Sequence, residues 1–289
     1  MLRSVRSVPL AVAGALVLVT GCTSGGPEGA VPRRSPSPGV SPRAGAGPSP
    51  GASSAAAPAA PRTGACYRLD RRQLALASNG SRPVPCAALH TTRTVFVGRL
   101  GTAARPGPVR VDAPAVRRRL AQACPRRLAS YVGGSRETRL LSRLSVVWFS
   151  PTLAQADDGA RWFRCDLIGF DRADDLYPLP RSGDLRGVLA RPGALRTFGL
   201  CGTAAPGSRG FERVICARRH AWRAFSVVDL PGGGAYPGRD AVRSAGAGTC
   251  KDRARAEAGG SLTFRYGWEW PTREQWTGGQ HYGYCWVPA

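Results

Sequence analysis

The sequence predicts an α+β fold made of two tandem, disulfide-stapled domains, each a short antiparallel sheet with one main helix. The first observation behind this prediction is that one framework of residues occurs twice. The second is that each occurrence contains four cysteines: Cys66, Cys86, Cys124 and Cys165 in copy one, and Cys201, Cys216, Cys250 and Cys285 in copy two. The third is that strand and helix patterns follow these cysteines in the same order. We therefore interpret the chain as a duplication.

The two copies align without gaps at two places. A histidine follows a cysteine by four positions in both, at Cys86 with His90 and at Cys216 with His220. Near the end of each copy a tryptophan, proline, threonine, glutamine, glycine and cysteine recur with one spacing: Trp148, Pro151, Thr152, Gln155, Gly159 and Cys165, and Trp268, Pro271, Thr272, Gln275, Gly279 and Cys285. Because these positions agree, we expect both copies to have the same fold.

The N-terminus predicts an exported lipoprotein. Residues 1–21 have a positively charged start and an apolar run that is too short for a permanent membrane span, as a signal peptide does. Val19-Thr20-Gly21-Cys22 resembles a bacterial lipobox, which implies cleavage before Cys22 and attachment of lipid such as palmitate to it. The alternative is an ordinary signal peptide in which Cys22 has no role. Residues 22–62 would then be the anchored cysteine and a disordered linker, because Gly, Pro, Ser and Ala fill 32 of the 40 positions from 23 to 62.

An exported chain lies where disulfides persist, and without Cys22 the remaining eight cysteines are an even number. The duplication requires that both copies use one pairing scheme. We predict that the first cysteine pairs with the second and the third with the fourth, which gives Cys66–Cys86, Cys124–Cys165, Cys201–Cys216 and Cys250–Cys285. Pairing of the first with the third would leave the duplication intact but change the topology.

The first domain is predicted over residues 63–175. β-branched and aromatic residues predict a strand at Thr94–Val97. A helix should follow, with Asp112 as its N-cap, Pro114 in its first turn and apolar residues at helical spacing. Two more strands are predicted after the helix, at Leu144–Phe149 and Trp162–Ile168. The third disulfide partner lies on the helix and the fourth on the last strand, so this bridge would join helix to sheet.

A connector rich in proline and glycine is expected at residues 176–196, followed by the second domain at 197–289. The elements of the second domain should repeat those of the first: a strand at Ala224–Val228, a helix over Asp240–Glu257, and strands at Leu262–Trp270 and Tyr282–Val287. The helix of this copy is the less apolar of the two.

Copy two contains a series of motifs: Cys216 with His220, Tyr236-Pro237-Gly238, Cys250, Pro271-Thr272, Gln275-Trp276, Gly279 and Cys285. Copy one lacks the Tyr-Pro-Gly motif and has Ala156 where the tryptophan would be. The pattern resembles the septum-formation domain of lipoproteins and membrane proteins from high-GC Gram-positive bacteria, here in tandem copies that cover nearly all of residues 63–289. This resemblance implies an envelope role connected with septation, and it supplies no catalytic residue.

Few residues are candidates for chemistry. His90 and His220 could ligate zinc beside a cysteine, but the predicted disulfides use all eight cysteines, and a histidine that hydrogen-bonds a loop is the simpler interpretation. Asp157 or Asp158, with His281, could serve an enzyme acting on cell-wall polymer, although solvated loop charges are the simpler interpretation. No serine-nucleophile elbow is present in the sequence. We therefore expect no catalytic residue, no metal and no cofactor.

The formal net charge of the chain is +23, and nearly all of its cationic residues are arginine. Such a charge attracts polyanions and anionic membranes, although GC-rich coding alone would also raise the arginine content. Export argues against nucleic acid, which leaves anionic wall polymers or an envelope protein as partners. We expect a non-catalytic lipoprotein, lipid-anchored on the extracytoplasmic face of the cell membrane, with a binding or scaffolding role in septum formation or cell-wall organisation. The alternatives are an enzyme acting on cell-wall polymer and an extracytoplasmic small-ligand sensor with a pocket between the domains.

Overall fold

The computed structural model describes residues 57–101, 110–173 and 175–289. The predicted signal peptide, the predicted lipidation site Cys22 and most of the predicted linker lie outside these residues. The described residues from Ala57 onward fall within one compact unit, which contains both copies of the framework. None of the helices in this part of the chain has the length and apolar character needed to cross a membrane.

The first copy is an antiparallel sheet with helices, as predicted. Its strands are β1 (Cys66–Tyr67), β2 (Thr92–Arg99), β3 (Leu144–Phe149), β4 (Trp162–Phe170) and β5 (Leu176–Tyr177). Its α-helices among the described residues are α1 (Arg71–Leu74), α2 (Pro114–Val132), α3 (Arg136–Leu140) and α4 (Leu153–Asp157). The strands lie in the order β1-β2-β4-β3, and β5 pairs with the end of β4.

The second copy repeats this arrangement. Its strands are β6 (Leu200–Gly202), β7 (Arg213–Ile215), β8 (Trp222–Asp229), β9 (Gly267–Glu269) and β10 (Tyr282–Pro288), in the order β7-β6-β8-β10-β9. A 3-10 helix (Val188–Ala190) and α5 (Ala194–Phe198) precede them, and α6 (Arg239–Glu257) and α7 (Arg273–Thr277) lie between them. Strands β6, β8, β10 and β9 thus stand where β1, β2, β4 and β3 stand in the first copy. The predicted disulfide-stapled α+β fold is confirmed.

The pairing register of the strands repeats along with their order. The cysteine on the last long strand faces equivalent residues in both copies: Cys165 faces Phe96 and Trp148, and Cys285 faces Ser226 and Trp268. Both sheets then contain a β-bulge at the next step, and the bulged residue is Val95 in copy one and Phe225 in copy two. A bulge is a specific local feature, so its recurrence at one position supports the duplication on structural grounds.

The long helices α2 and α6 cover one face of their sheets, and burial of their apolar sides stabilises the fold. The buried residues of α2 are Leu120, Cys124, Tyr131 and Val132, whereas those of α6 are Val242, Gly246, Cys250 and Ala254. The buried side of α6 is made of smaller residues, and Trp268 packs closely against it. A Cβ atom at Gly246 would overlap the Trp268 ring. These small buried residues are why the sequence of α6 has the weaker apolar pattern.

Two predictions about element boundaries are wrong. The N-cap of α2 is Ala113, not Asp112, whose carboxylate instead pairs with Arg110 at 3.1 Å. The predicted strand at Leu262–Trp270 shrinks to β9, because only its last residues pair with β10. Leu262 is 89 % exposed, so the apolar residues at the start of that segment do not face a core.

The two copies share an interface with an apolar centre. Phe198 and Ile215, both from the second copy, are buried in the same cluster as Leu144 and Leu167 of the first. The backbone N–H of Arg143 donates to the carbonyl of Phe198 at 2.7 Å. Side chains in the 176–196 segment also join the core of the first copy: Leu179, Leu185, Val188 and Leu189. This segment therefore lies against the first copy.

Candidate functional site

The cysteines of the described residues form four disulfides, in the pairs that the sequence predicts: Cys66–Cys86, Cys124–Cys165, Cys201–Cys216 and Cys250–Cys285. Their Cα atoms are 5.0 to 5.5 Å apart, a normal separation for a disulfide. In each copy the second bridge joins the long helix to the central long strand. Because all eight sulfurs are bonded, none of them is available here as a metal ligand or nucleophile.

His90 and His220 make the same local contact. The Nδ1 atom of His90 lies 2.9 Å from the carbonyl oxygen of Ala88, and that of His220 lies 2.7 Å from the carbonyl oxygen of Arg218. Each ring thus binds the chain two residues earlier and closes the turn that follows the cysteine. The described ranges contain no group of three or more His, Cys, Asp or Glu side chains that could hold a metal ion.

His281 also makes a contact that recurs in the other copy. Its Nε2 atom lies 3.1 Å from the carbonyl oxygen of Trp276, near the end of α7. Arg161, its counterpart in copy one, donates to the equivalent carbonyl of Ala156 in α4. A histidine in one copy and an arginine in the other therefore contact the equivalent backbone carbonyl, which indicates a structural role for His281.

The acidic pair Asp157 and Asp158 lies at the exposed end of α4. Asp158 is the C-cap residue of that helix. Among the described residues, neither side chain has a hydrogen bond or an ion pair, and His281 belongs to the other copy. The structure therefore does not join these three candidates into one site.

The Pro-Thr-x-x-Gln motif forms a helix start in both copies. The Thr152 hydroxyl accepts from the backbone N–H of Gln155, and the Gln155 side-chain oxygen accepts from the backbone N–H of Thr152, both at 3.1 Å. Thr272 and Gln275 form the same reciprocal pair. This capping box begins α4 and α7 and directs the chain into the last long strand.

The two motif parts that copy one lacks contact each other in copy two. The rings of Tyr236 and Trp276 meet edge to face with centroids 6.0 Å apart. Trp276 is buried, and its Nε1 donates to the carbonyl of Gly234 at 3.0 Å. With Ala156 at the position of Trp276, copy one has no ring for such a tyrosine to contact. These motif residues are therefore explained by packing.

A cavity lies at the same place in each copy, on the sheet face away from the long helix. Side chains alternate along a strand, and Cys165 points toward α2, so Trp162 and Arg164 point to the other face of the sheet. They line a cavity of about 590 Å³, which we call the first cavity. The equivalent residues Tyr282 and Tyr284 line a cavity of about 480 Å³, which we call the inter-copy cavity.

The two cavities differ in what closes them. Residues 59–65 and the loop at 79–83 form the outer wall of the first cavity. The inter-copy cavity is closed by the first copy itself, through residues in the 139–145 segment together with Phe170 and Ala173. Arginine side chains line both cavities, and none of the described residues that line either one is Asp or Glu.

An arginine stacked on an aromatic ring and paired with a carboxylate lies at the first cavity. The Arg164 guanidinium lies 3.9 Å from the centroid of the Tyr67 ring and 4.8 Å from that of Phe149. Its Nε atom is 3.1 Å from Oδ2 of Asp166, and the Thr94 hydroxyl donates to the other oxygen of that carboxylate at 2.7 Å. Burial raises the pKa of Asp166 to about 6, although Arg164 and Thr94 oppose this shift.

The second copy assembles the same groups from different positions. Arg213 pairs with Glu269 at 2.8 Å, and its guanidinium lies 5.3 Å from the centroid of the Tyr284 ring. The other oxygen of Glu269 accepts from the indole N–H of Trp286 at 3.1 Å. Burial raises the pKa of Tyr284, so its hydroxyl stays neutral. When the two copies are aligned, Tyr284 occupies the position of Arg164, Trp286 that of Asp166, and Glu269 that of Phe149. The arginine and the carboxylate therefore occupy different positions in the two copies.

Sequence reasoning did not find these residues. The available signal was an arginine and an aspartate on either side of Cys165, in a strand whose other residues are mostly apolar. Charged side chains are rarely buried unless they are paired, so that context should have indicated a buried pair.

The septum-formation family matches residues 63–285, a stretch that covers both copies. Comparison with curated proteins and with solved structures gives no match. We conclude that the chain belongs to the septum-formation family, and this membership indicates a role in cell division or the cell envelope.

Proposed function

We propose that this protein is a non-catalytic lipoprotein of the cell envelope with a binding role, held on the extracytoplasmic face of the membrane through Cys22. The observation that supports the binding role is the recurrence of one cavity in both copies. Arginine and aromatic side chains line both cavities, and the other candidate residues are engaged in structural contacts or exposed at a helix end. Concave sites with a few polar groups among aromatic walls are the usual form of a ligand site.

The proposed partner is an anionic wall polymer or an envelope protein. The net charge of +23 favours an anionic partner, and the arginines in both cavities are consistent with one. Retention of the full chain on isolated cell wall is the direct test. Replacement of Tyr282 by Ala should reduce retention because it removes an aromatic wall of the inter-copy cavity. Replacement of Tyr266 by Ala is the matched control, because that exposed tyrosine of the same copy does not line either cavity.

An enzyme acting on cell-wall polymer is the outcome that would overturn this proposal. Incubation of the full chain with purified wall should release no soluble fragments. Release that disappears in the Asp157→Asn or Asp158→Asn variant would show catalysis by these carboxylates. If the Tyr282 and Tyr266 variants are retained equally on the wall, the inter-copy cavity is not the site that binds it.

The proposed anchor is tested separately from binding. Lipid attachment at Cys22 should keep the protein in the membrane fraction, because two or more acyl chains anchor stably while one binds only weakly. A Cys22→Ser variant should appear in the medium or stay unprocessed. Wild-type protein that is found wholly in the medium with an unmodified N-terminus would contradict the anchor.

The inter-copy cavity also favours a second candidate function, a sensor of a small ligand. Residues of both copies line it, so a ligand there would contact both. A sensor should change the relative position of the copies when the ligand binds, whereas a scaffold should not. Distance measurements between spin labels on the two copies, with and without wall fragments, would distinguish these functions.

A further inference from the structure

We propose that the first cavity binds the anionic group of a small ligand, a carboxylate or a phosphate, through Arg62, Arg164, Asn79 and Trp162. This inference rests on the proposed binding function and names the class of ligand that one of its two sites takes. It follows from the hydrogen-bonding groups that the cavity presents.

The side-chain amides at the cavity offer donors because their oxygens are already used. The Asn79 side-chain oxygen accepts from the backbone N–H of Ser81 at 3.1 Å and from the Arg164 guanidinium at 3.2 Å. The side-chain oxygen of Gln155 accepts from the backbone N–H of Thr152 at 3.1 Å. Both residues line the cavity, and each can offer a ligand its amide NH₂ group as a donor.

Trp162 adds a donor that has no partner. It is 6 % exposed, and its Nε1 atom is buried without a hydrogen-bond partner among the described residues. Buried polar groups are nearly always hydrogen-bonded, because an unpaired one costs free energy. Trp162 lines the cavity, and the proposal requires that an acceptor atom bound there reach this N–H.

The charges at the cavity favour an anion. Two arginines line it, Arg62 at the exposed rim and Arg164 inside, and none of the described lining residues is acidic. Asp166 lies behind Arg164 and holds it in place through the 3.1 Å ion pair. The stacked position of Arg164 between Tyr67 and Phe149 fixes the guanidinium further. Donors from two amides, an indole and two guanidinium groups suit an anionic oxygen cluster, which accepts several hydrogen bonds at once.

The inter-copy cavity does not share this set of donors. Tyr282 stands where Trp162 stands, and Tyr284 stands where Arg164 stands. Tyrosine hydroxyls both donate and accept. Three arginines also line the inter-copy cavity, but Arg213 is paired with Glu269 and Arg143 donates to backbone carbonyls. The indole donor without a partner, which supports this inference, lies in the first cavity.

Titration of the full chain, purified in detergent, with matched small molecules tests this inference. The probes are N-acetylmuramic acid, which carries a carboxylate, its uncharged counterpart N-acetylglucosamine, glycerol phosphate and inorganic phosphate. Heat of binding gives the affinity, and the indole N–H resonance of Trp162 reports the predicted hydrogen bond. We expect the resonance to shift with at least one anionic probe and not with N-acetylglucosamine. Comparison of N-acetylmuramic acid with glycerol phosphate and inorganic phosphate shows whether the site binds a carboxylate or a phosphate.

Three variants of cavity residues and one control variant keep the test decisive. Asn79→Asp replaces the donor with a negative acceptor and should weaken anion binding by about ten-fold or more. Gln122→Glu adds the same charge on the exposed side of α2 and is the matched control. Trp162→Phe keeps an aromatic ring but removes the indole donor, and Arg62→Gln removes an exposed charge that the fold does not require. Both should weaken binding several-fold, so the inference stays testable if Asn79→Asp does not fold.

Certain results would overturn the inference. These are binding of N-acetylglucosamine as tight as that of the anions, no shift of the Trp162 resonance with any anion, or equal effects of Asn79→Asp and Gln122→Glu. If wall retention persists while no anion enters the first cavity, the ligand class is wrong and the proposed function stands. If anions bind here but the chain is not retained on the wall, the proposed function is wrong and the site stands.

Discussion

The Nε atom of Arg164 lies 3.1 Å from Oδ2 of Asp166, and the two side chains are only 2 % and 0 % exposed. Removing two charges from water carries a large desolvation cost, which their mutual attraction offsets only in part. The second copy avoids this cost at the same two positions, where it has Tyr284 and Trp286. The buried pair is therefore a feature that the fold does not require in both copies.

Breaking this pair should destabilise the protein more than replacing it. We expect Arg164→Met or Asp166→Leu alone to lower the free energy of unfolding by roughly 3–5 kcal/mol, because each leaves one buried charge without its partner. The double variant should recover most of that loss. Urea denaturation of the four proteins gives the coupling free energy. Additive losses in the double variant would show that the two side chains act independently.

The pH dependence of stability should reflect the raised pKa of Asp166. Burial raises this pKa to about 6, whereas the pKa of an aspartate in an unfolded chain is about 3.9. Between about pH 4 and pH 6 the folded chain therefore holds more protons on this group than the unfolded chain does, so its contribution to the free energy of unfolding falls as pH rises through that window. The Arg164→Met/Asp166→Leu variant lacks this contribution and is the reference. A difference between the two proteins that does not change from pH 4 to pH 6.5 would contradict the prediction.

The sequence predicted the parts of the fold that depend on spacing along the chain. Cysteine order and the duplication gave the disulfides, and β-branched and aromatic runs gave the strands, with β3 at its observed bounds. The segment before β9 was predicted as strand because its composition is apolar and aromatic. Leu262 nevertheless remains in solvent, since strand propensity expresses packing against neighbours that this segment does not have.

The cavities could not be predicted in the same way. Their walls come from distant segments, such as residues 59–65 with β4, and from the first copy closing over the second. Alternation along β4 places Arg164 on the face away from Cys165 and α2, but the sequence does not show what covers that face. The signal in the sequence was the pair of charged residues, Arg164 and Asp166, on either side of Cys165. Motifs such as Pro-Thr-x-x-Gln were visible, but the structure shows that they begin a helix.

The contact between Tyr236 and Trp276 should be a main source of stability in copy two. Trp276→Ala removes a buried ring and should lower the free energy of unfolding by about 3–5 kcal/mol. Tyr236→Ala should cost less, because that ring is only partly buried. Each loss contains the shared ring contact, so the double variant should lose less than the sum of the two. Tyr266→Ala, at an exposed tyrosine, is the control and should be nearly neutral in thermal unfolding. A full sum in the double variant would show that the two motif residues do not act together.

The two copies should unfold as one cooperative unit. Phe198 and Ile215 of the second copy lie in the apolar core of the first, so loss of structure in copy two exposes part of that core. Removal of one bridge by the Cys250→Ala/Cys285→Ala variant should cost roughly 2–5 kcal/mol, because it frees α6 from β10. Amide hydrogen exchange would then show reduced protection in β10 and also in β4, about equally if opening is global. Reduced protection in β10 with unchanged protection in β4 would show that the copies unfold separately, and that the shared apolar contacts do not couple them.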